Sequence, residues 1–128
     1  MNKLPLALLP DEYAVCQLQH WSQAPDGTGE ALYCLTQTSG EVSLVCRQAI
    51  APEKAKIEPD WRAFVVQGKL DFALIGILAK LTTALADHGV SVFAISTFDT
   101  DYLLVRTADV EKAKLALAKV AEIDQSQG

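Results

Sequence analysis

The sequence predicts an α+β protein in which two long helices pack on one face of an antiparallel sheet. Apolar residues recur at three- and four-residue intervals over about residues 74–88 and 109–122, the spacing that lines one face of a helix. The first half of the chain instead contains short apolar runs separated by polar turns, which is typical of strands. The apolar stripes consist of Leu74, Leu78, Leu81 and Leu85 in the first helix and Val110, Ala113, Leu117 and Val120 in the second.

Size and charge restrict the classes of protein. The 128 residues suffice for one compact domain or two very small ones. A formal net charge of -5 argues against nucleic acid as a partner, because nucleic-acid-binding surfaces are usually basic. No apolar run approaches the ~18 residues that span a bilayer, and the opening segment has no secretory signal features. We therefore expect a cytoplasmic protein without a membrane partner.

The N-terminal half is predicted to form strands with few helices. The run YAVCQL, residues 13–18, has the length and composition of a strand. Residues 19–30 include one proline and two glycines, which makes a full helix implausible there. The strand-like runs ALYCLTQT and EVSLVC are joined by a Ser-Gly pair, a good hairpin turn. Residues 47–60 predict at most a short helical turn at Pro52.

The central part of the sequence runs from Trp61 to Arg106. It predicts a strand, a glycine-containing loop, a helix, and two strands joined by an acidic turn. Gly89 directly follows the helix, where a residue in the left-handed conformation commonly ends it. Thr107 or Asp109 is expected to cap the last helix.

Two hairpins resemble each other in residue character. Tyr33–Thr36 matches Phe93–Ser96, and Glu41–Val45 matches Asp101–Val105, with turn lying on turn. The similarity predicts two related units, residues 1–60 and 61–128, of which the first has lost most of its helices. Because such a first unit cannot bury its own sheet, the two units are expected to be fused into one globule.

A family resemblance rests on the central segment and its motifs. The run GKLDFALIGILAKLTTALADHGVSVFAISTFDTDYLLV resembles the core of an ACT domain, in which a strand, a glycine-containing loop, a helix and a hairpin follow in this order. More narrowly, the chain is similar to small bacterial proteins with two ACT-like units, relatives of the CASTOR-type cytosolic arginine sensors. The residues that carry the resemblance are Leu70-Asp71-Phe72, Gly76-Ile77-Leu78 and Ser96-Thr97-Phe98-Asp99-Thr100-Asp101-Tyr102.

The resemblance extends over about residues 13–117, since YAVCQL and EVSLVC match elements of a degenerate first ACT-like unit. It implies a ferredoxin-like βαββαβ fold, dimerisation, and regulatory binding of a free amino acid. It does not imply a particular amino acid.

The chemistry of a free amino acid is consistent with a site in the same segment. Its carboxylate suits the N–H groups and positive potential of a helix N-terminus. Its ammonium group needs oxygen acceptors, such as Asp71, the Ser96 hydroxyl or the backbone carbonyls of strand 94–97. The predicted ligand-binding residues are Leu70, Asp71, Phe72, Ile75, Gly76, Ile77, Leu78, Ala94, Ile95, Ser96 and Thr97.

These residues also have structural explanations. Asp71 can cap the helix instead of contacting a ligand. Gly76 can serve close packing against a strand. Ser96 and Thr97 can be ordinary strand residues. Asp101, next to the site, can fix the hairpin turn.

Enzymatic alternatives lack the residues they need. Residues 66–68 (VQG) are similar to the phosphate loop of acylphosphatases, but no arginine follows in the loop and the only asparagine is Asn2. His20 and His88 are far apart, and the three cysteines have no ligand spacing, so neither a metal nor a cofactor is expected. The cysteines lie in apolar runs and are interpreted as buried, reduced thiols.

The sequence therefore predicts a non-enzymatic regulatory module that binds a free amino acid, in the control of amino-acid metabolism, alone or through a protein target. The alternative is an interaction or scaffold protein that kept the fold and lost the ligand. A homodimer is also expected. Both faces of the run VSVFAIS are largely apolar, and Leu115 lies off the apolar stripe of its helix.

Overall fold

The computed structural model describes residues 4–67 and 76–124. Its strands are β1 (Leu4–Leu8), β2 (Tyr13–Leu18), β3 (Cys34–Gln37), β4 (Val42–Arg47), β5 (Lys56–Val66), β6 (Phe93–Ser96), β7 (Asp101–Arg106) and β8 (Ala121–Asp124). Its helices are α1 (Ile77–Asp87) and α2 (Val110–Leu117), which lie between β5 and β6 and between β7 and β8. The predicted α+β class is confirmed.

The chain separates into two compact units. The terminal unit consists of Met1–Pro10 and Arg62–Gly128, and the inserted unit consists of Asp11–Trp61. The boundary falls within β5, so the two parts of this strand contribute to different units. The division into two ACT-like units at residue 60 stays a prediction.

The inserted unit is a sheet with the strand order β3-β4-β2-β5. β2 is antiparallel to both β4 and the first part of β5, and β3 and β4 form the predicted hairpin. Two short 3₁₀ turns, Trp21–Gln23 and Gln48–Ile50, stand where a ferredoxin-like unit has helices. The core is small and consists of Ala14, Cys16, Leu18, Leu44 and Cys46.

The terminal unit has the strand order β6-β7-β5-β1-β8. β1 is antiparallel to β5 and parallel to β8, so the predicted all-antiparallel sheet is wrong at this pair. Both helices pack on the same apolar core, because buried residues of α1 and α2 belong to one cluster with residues of β1, β5 and β7. Completely buried members include Leu6, Phe64, Leu81, Leu85 and Leu117.

Helix α1 follows the predicted stripe but is shorter than residues 74–88. It begins at Ile77 and ends at Asp87, with His88 as its C-cap, while residues 74 and 75 lie outside the described part of the chain. Gly89 has φ +71°, and the Val90 N–H donates to the Leu85 carbonyl at 3.0 Å. This bond and the glycine form a Schellman motif, which confirms the predicted stop.

Helix α2 is where the sequence prediction fails most. It ends at Leu117 instead of residue 122, and β8 follows at Ala121. The missed signal is the period-two alternation of β8, in which Ala121 and Ile123 face the core and Glu122 is exposed. The predicted cap is also wrong in part, because Asp109 precedes the helix without a side-chain hydrogen bond to it.

Strand β5 begins at Lys56, five residues before the predicted start at Trp61. Its first five residues are all exposed. Lys56, Glu58 and Asp60 are charged, and Pro59 leaves Ile57 as the single aliphatic residue, so the apolar alternation of a buried strand is missing. They form a strand because they pair with β2, from Lys56 opposite Gln17 to Trp61 opposite Tyr13.

Candidate functional site

The start of α1 forms the described half of the predicted site. Gly76 is the N-cap residue with φ +80°, and a Cβ added there would meet no described atom within 4 Å. The glycine therefore serves a backbone conformation, and no described neighbour supports the close-packing explanation. Since Gly76 has no side chain and the first turn has no acidic residue, the first N–H groups of α1 receive no cap from either. These groups and the helix dipole favour an anion.

The two residues that follow Gly76 contribute to the core. Ile77 and Leu78 are half-buried and pack against the apolar cluster below the helices. This packing fixes the position of the start of α1, whether or not the two residues also contact a ligand. Of the remaining predicted residues, Leu70, Asp71, Phe72 and Ile75 lie outside the described residues. The choice between Asp71 as a cap and as a ligand contact therefore stays a prediction.

Ser96 ends strand β6 and pairs with Asp101 of β7. The Ser96 hydroxyl donates to Asp101 Oδ1 at 2.6 Å, in an exposed position. This bond uses the hydroxyl proton but leaves the oxygen lone pairs of Ser96 and the second carboxylate oxygen of Asp101 as acceptors. The sequence prediction favoured Asp101 as a turn residue and did not include it among the site residues. Ala94 and Ile95 precede Ser96 on the same strand, with Ala94 exposed and Ile95 half-buried.

Thr97 belongs to the turn between β6 and β7. Its N–H and its hydroxyl both donate to the Thr100 carbonyl, at 2.8 and 3.1 Å, and its hydroxyl oxygen accepts from the Thr100 N–H at 3.2 Å. These hydrogen bonds explain why a threonine stands at position 97 without any role in ligand binding. Thr97 therefore holds the turn that positions Ser96.

Thr100 connects this turn to the strand that leads to α1. Its hydroxyl donates to the Val66 carbonyl at 2.7 Å, at the C-terminal end of β5. The Ser96–Asp101 pair and the strand end that precedes Gly76 in the chain therefore lie at the same end of the sheet. Sequence reasoning quoted Thr100 in a motif but gave it no contact, because its partner is 34 residues away.

An open groove of about 710 Å³ begins at Gly76 and continues along α1. Ala79, Lys80 and Thr83 line it on the helix, and Lys119 and Val120 line it beyond the end of α2. The groove therefore contains two ammonium groups, from Lys80 and Lys119, and one carboxylate, from Asp87.

Two of the three cysteines are poorly suited to a reactive site. Cys16 and Cys46 are buried, as predicted, but Cys34 is only half-buried. Burial raises the pKa of the Cys16 thiol, and burial together with the neighbouring Cys16 raises the pKa of Cys46 to about 12. Thiolates, which are the nucleophiles and the metal ligands, are therefore disfavoured at both positions at neutral pH. The described residues contain no group of three or more metal-ligating side chains.

The order β5, α1, β6, β7, α2, β8, with both helices on one core, defines a ferredoxin-like α+β protein. The family within this class follows from the sequence: the ACT domain matches residues 56–119, from the first residue of β5 to just beyond α2. The chain belongs to the ACT domain family.

Several solved structures share this fold. A protein from Agrobacterium tumefaciens has a TM-score of 0.83 and 29% identity, and the match covers 98% of this chain and 96% of that one. A Vibrio cholerae protein of unknown function, described as a possible transport protein, has a TM-score of 0.72 and 20% identity over 94% and 91% of the two chains. The ligand-free regulatory subunit of aspartate kinase from Thermus thermophilus has a TM-score of 0.68 and 15% identity over 91% and 97%.

No curated protein matches the chain in sequence. No helix within residues 4–67 and 76–124 is long and apolar enough to cross a membrane.

Proposed function

We propose that this protein is a non-enzymatic regulatory module that binds a free amino acid through its terminal unit. Membership of the ACT domain family supports a regulatory role. The fold that it shares with a regulatory subunit of aspartate kinase is consistent with such a role. The amino acid would act as the signal in the control of amino-acid metabolism, directly or through a protein target.

The observation that carries the proposal is the contact between Thr100 and Val66. It brings an acceptor pair, Ser96 and Asp101, to the strand end that precedes the start of α1, where neither Gly76 nor an acidic residue of the first turn caps the helix. A free amino acid has its carboxylate and its ammonium group on neighbouring atoms, so a site for it needs donors and acceptors close together. The start of α1 would bind the carboxylate, and Ser96 with Asp101 would accept from the ammonium group.

Three finer assignments belong to this proposal. The first is the closer relationship to the two-unit ACT proteins related to the CASTOR-type arginine sensors. The second is the homodimer in the cytoplasm. The third is the absence of catalysis, which the raised pKa values of Cys16 and Cys46 support.

A thermal-shift screen of the full chain against the twenty amino acids tests the proposal. A ligand that binds only the folded state stabilises it by about 2.7 kcal/mol at a concentration of one hundred times Kd. That corresponds to a rise in Tm of several degrees for a chain of this size. A selective rise with one amino acid or a related group is expected. A flat result would favour the alternative, an interaction protein that kept the fold without the ligand.

Calorimetric titration of variants then locates the site. Asp71→Asn removes a charge but keeps much of the capping ability, so it should weaken binding by about tenfold or more only if Asp71 contacts the ammonium group. Ser96→Ala removes one of the two acceptors described above. Thr36→Ala, at an exposed position of β3 in the inserted unit, is the matched control and should bind as wild type does. Unchanged affinity in both site variants would place the pocket elsewhere.

A further inference from the structure

The chain contains two histidines, and they use the same ring nitrogen in opposite ways. His88 Nδ1 lies 3.0 Å from the Ala84 carbonyl oxygen, which can only accept, so this nitrogen carries a proton and donates. His20 Nδ1 lies 3.1 Å from the backbone nitrogen of Ser22, whose N–H can only donate, so this nitrogen accepts. Protonation of the ring is therefore compatible with the bond at His88 but removes the acceptor at His20.

The bond at His20 caps a short turn in the inserted unit. His20 is the N-cap residue of the 3₁₀ turn Trp21–Gln23, and its ring satisfies the Ser22 N–H. In the other half of this capping box, Gln23 Oε1 accepts from the His20 N–H at 3.1 Å. The Ser22 hydroxyl lies 2.8 Å from His20 Nδ1 and can either donate to this nitrogen or accept from it. Ser22 therefore offers the ring a donor in one protonation state and an acceptor in the other.

The capped turn connects His20 to an exposed aromatic ring and to the cover of the core. The ring of Trp21, which is 55% exposed, has its centroid 5.2 Å from that of His20. The Ala24 N–H donates to the Trp21 carbonyl at 3.0 Å, and Ala24 packs against the core of the inserted unit. Loosening the turn would therefore affect both Trp21 and one part of the loop that covers this core.

We propose that His20 and Ser22 form a pH-sensitive cap. The neutral ring of His20 accepts from the Ser22 N–H. When Nδ1 is protonated it donates to the Ser22 hydroxyl oxygen instead, so the N–H loses its acceptor and the turn loosens. The amide of Gln23 does not titrate, so its half of the capping box remains and the turn does not unfold completely. The cap lies in the inserted unit, and the proposal does not depend on the amino-acid site.

The charged groups nearest to His20 in register are not bonded to its ring. They come from the loop after the turn and from the starts of β4 and β5, the two strands that pair with β2. These residues are Asp26, Glu41, Glu53, Lys54 and Lys56. Asp26 Oδ1 accepts from the N–H and the hydroxyl of Thr28. Within the described part of the chain, no hydrogen bond or ion pair joins any of the five to His20. Ser22 therefore decides what protonation of the ring does to the turn.

NMR spectroscopy of the full chain labelled with ¹⁵N tests the proposal between about pH 8 and about pH 5, the range in which histidine changes charge and carboxylates stay largely ionised. At the higher pH the His20 ring should carry its proton on Nε2, and the His88 ring should carry it on Nδ1. At the lower pH the protection of the Ser22 amide from exchange, corrected for the intrinsic rate, should fall about fivefold, as is typical when an N-cap acceptor is lost.

Two variants separate the cap from a general effect of acid. Asparagine is a good N-cap residue that does not titrate, so His20→Asn should give the same Ser22 protection at both pH values. Ser22→Ala removes the hydroxyl that accepts from the protonated ring. In this variant the ring should leave the turn in acid, and the ring-proton shifts of Trp21 should change more with pH than they do in wild type.

Four results would overturn the proposal. The first is a proton on His20 Nδ1 at the higher pH, and the second is a His20 ring that stays neutral at the lower pH. The third is unchanged protection of Ser22 while the His20 ring becomes protonated. The fourth is an equal fall in Ser22 protection in wild type and His20→Asn, since this would assign the loosening to another titrating group.

Discussion

The hairpin turn of the inserted unit and that of the terminal unit share the hydrogen bonds between their first and fourth residues. The Thr38 N–H donates to the Glu41 carbonyl at 2.9 Å, and the Thr97 N–H donates to the Thr100 carbonyl at 2.8 Å. The hydroxyl oxygens of the two leading threonines accept from the fourth residue of each turn at 3.1 and 3.2 Å. The units differ in the fourth residue: Thr100 also donates to Val66, whereas Glu41 has no hydroxyl with which to do so.

Aligning the units on these turns corrects the alignment predicted from sequence by one residue. The structure places Cys34 of β3 in correspondence with Phe93 of β6, because both start the first strand of their hairpin. The sequence comparison had matched Tyr33 with Phe93. Similarity in residue class could not fix the register, since neighbouring residues in these runs are of similar character.

The units also differ in what covers their sheets. Two helices cover the core of the terminal unit. In the inserted unit the equivalent connections are loops with 3₁₀ turns of three residues, and side chains such as Tyr33 and Ile50 pack against the core. A turn of this length has no helix dipole that could bind an anion. A sheet therefore forms in either unit, with or without helices over it, but only the unit with helices provides the candidate site.

The largest effect is expected from a truncation that removes β1. A fragment of residues 61–128 lacks the strand between β5 and β8, including the completely buried Leu6. This fragment should show no cooperative urea transition. A chain in which residues 1–10 are joined to 62–128 by a short glycine–serine linker should unfold cooperatively, because the Leu9 N–H already lies 2.8 Å from the Ala63 carbonyl. Cooperative unfolding of the fragment without β1 would contradict the unit boundary seen here.

Truncation of one core side chain in each unit should show that helices cover the core of the terminal unit more completely than loops cover that of the inserted unit. Leu85→Ala on α1 removes a side chain that is completely buried and should cost about 3 kcal/mol of unfolding free energy. Ile50→Ala in the inserted unit removes a partly buried side chain and should cost about 1 kcal/mol. Urea titration of both variants measures the two values, and equal costs would mean that the loops cover their sheet as well as a helix does.

Gly27→Ala tests how tightly the loop cover is packed. A Cβ at Gly27 would lie 2.6 Å from Cγ of the Tyr33 ring. The ring cannot easily move, because its hydroxyl donates to the Pro25 carbonyl at 2.6 Å. We expect a loss of about 2 kcal/mol in unfolding free energy. Gly40→Ala is the control and should be nearly neutral, since its Cβ would meet only Thr38 Oγ1 at 4.0 Å. A neutral Gly27→Ala would show that the loop adjusts freely.

Thr100→Val tests the bond that distinguishes the two turns. The substitution keeps the shape but removes the donor to Val66, which should cost about 1 kcal/mol in unfolding free energy. Thr100→Ser keeps the hydroxyl and should lose less. If the wild type binds an amino acid in the thermal screen, Thr100→Val should also weaken that binding. If Thr100→Val is as stable as wild type, the hydrogen bond from Thr100 to Val66 does not hold the turn in place.

The smallest effect concerns the pH dependence of the inserted unit. Arg47 donates to both carboxylate oxygens of Glu30, at 2.8 and 3.1 Å, and these bonds lower the pKa of Glu30. Because the folded-state pKa is below the unfolded one, the stabilisation is complete above a pH of about 4.3 and is lost as the pH falls through the folded value. Glu30→Gln should therefore be less stable than wild type at pH 6, and the difference should shrink at pH 3. Urea titrations at both pH values measure it, and a constant difference would assign the loss to something other than the charge.

Local features of the sequence determined much of this protein. The helix α1, its stop at Gly89, the β3–β4 hairpin and the ACT segment were all predicted, because a helical stripe or a left-handed glycine depends on residues within a few positions. The position of the candidate site at the start of α1 stays a prediction. Its described contacts were not predicted, since Thr100 reaches Val66 across 34 residues.

The tertiary structure decided the elements whose sequence is ambiguous. Residues 121 and 122 were predicted to end the second helix, but residues 121–124 form a strand because β1 is beside them, and residues 56–60 become a strand through pairing with β2. β-Propensity depends on the neighbouring strand, and neither partner is close in sequence. The tertiary structure also places β1 between β5 and β8. The spacing of residues within a strand does not specify which distant strand it pairs with.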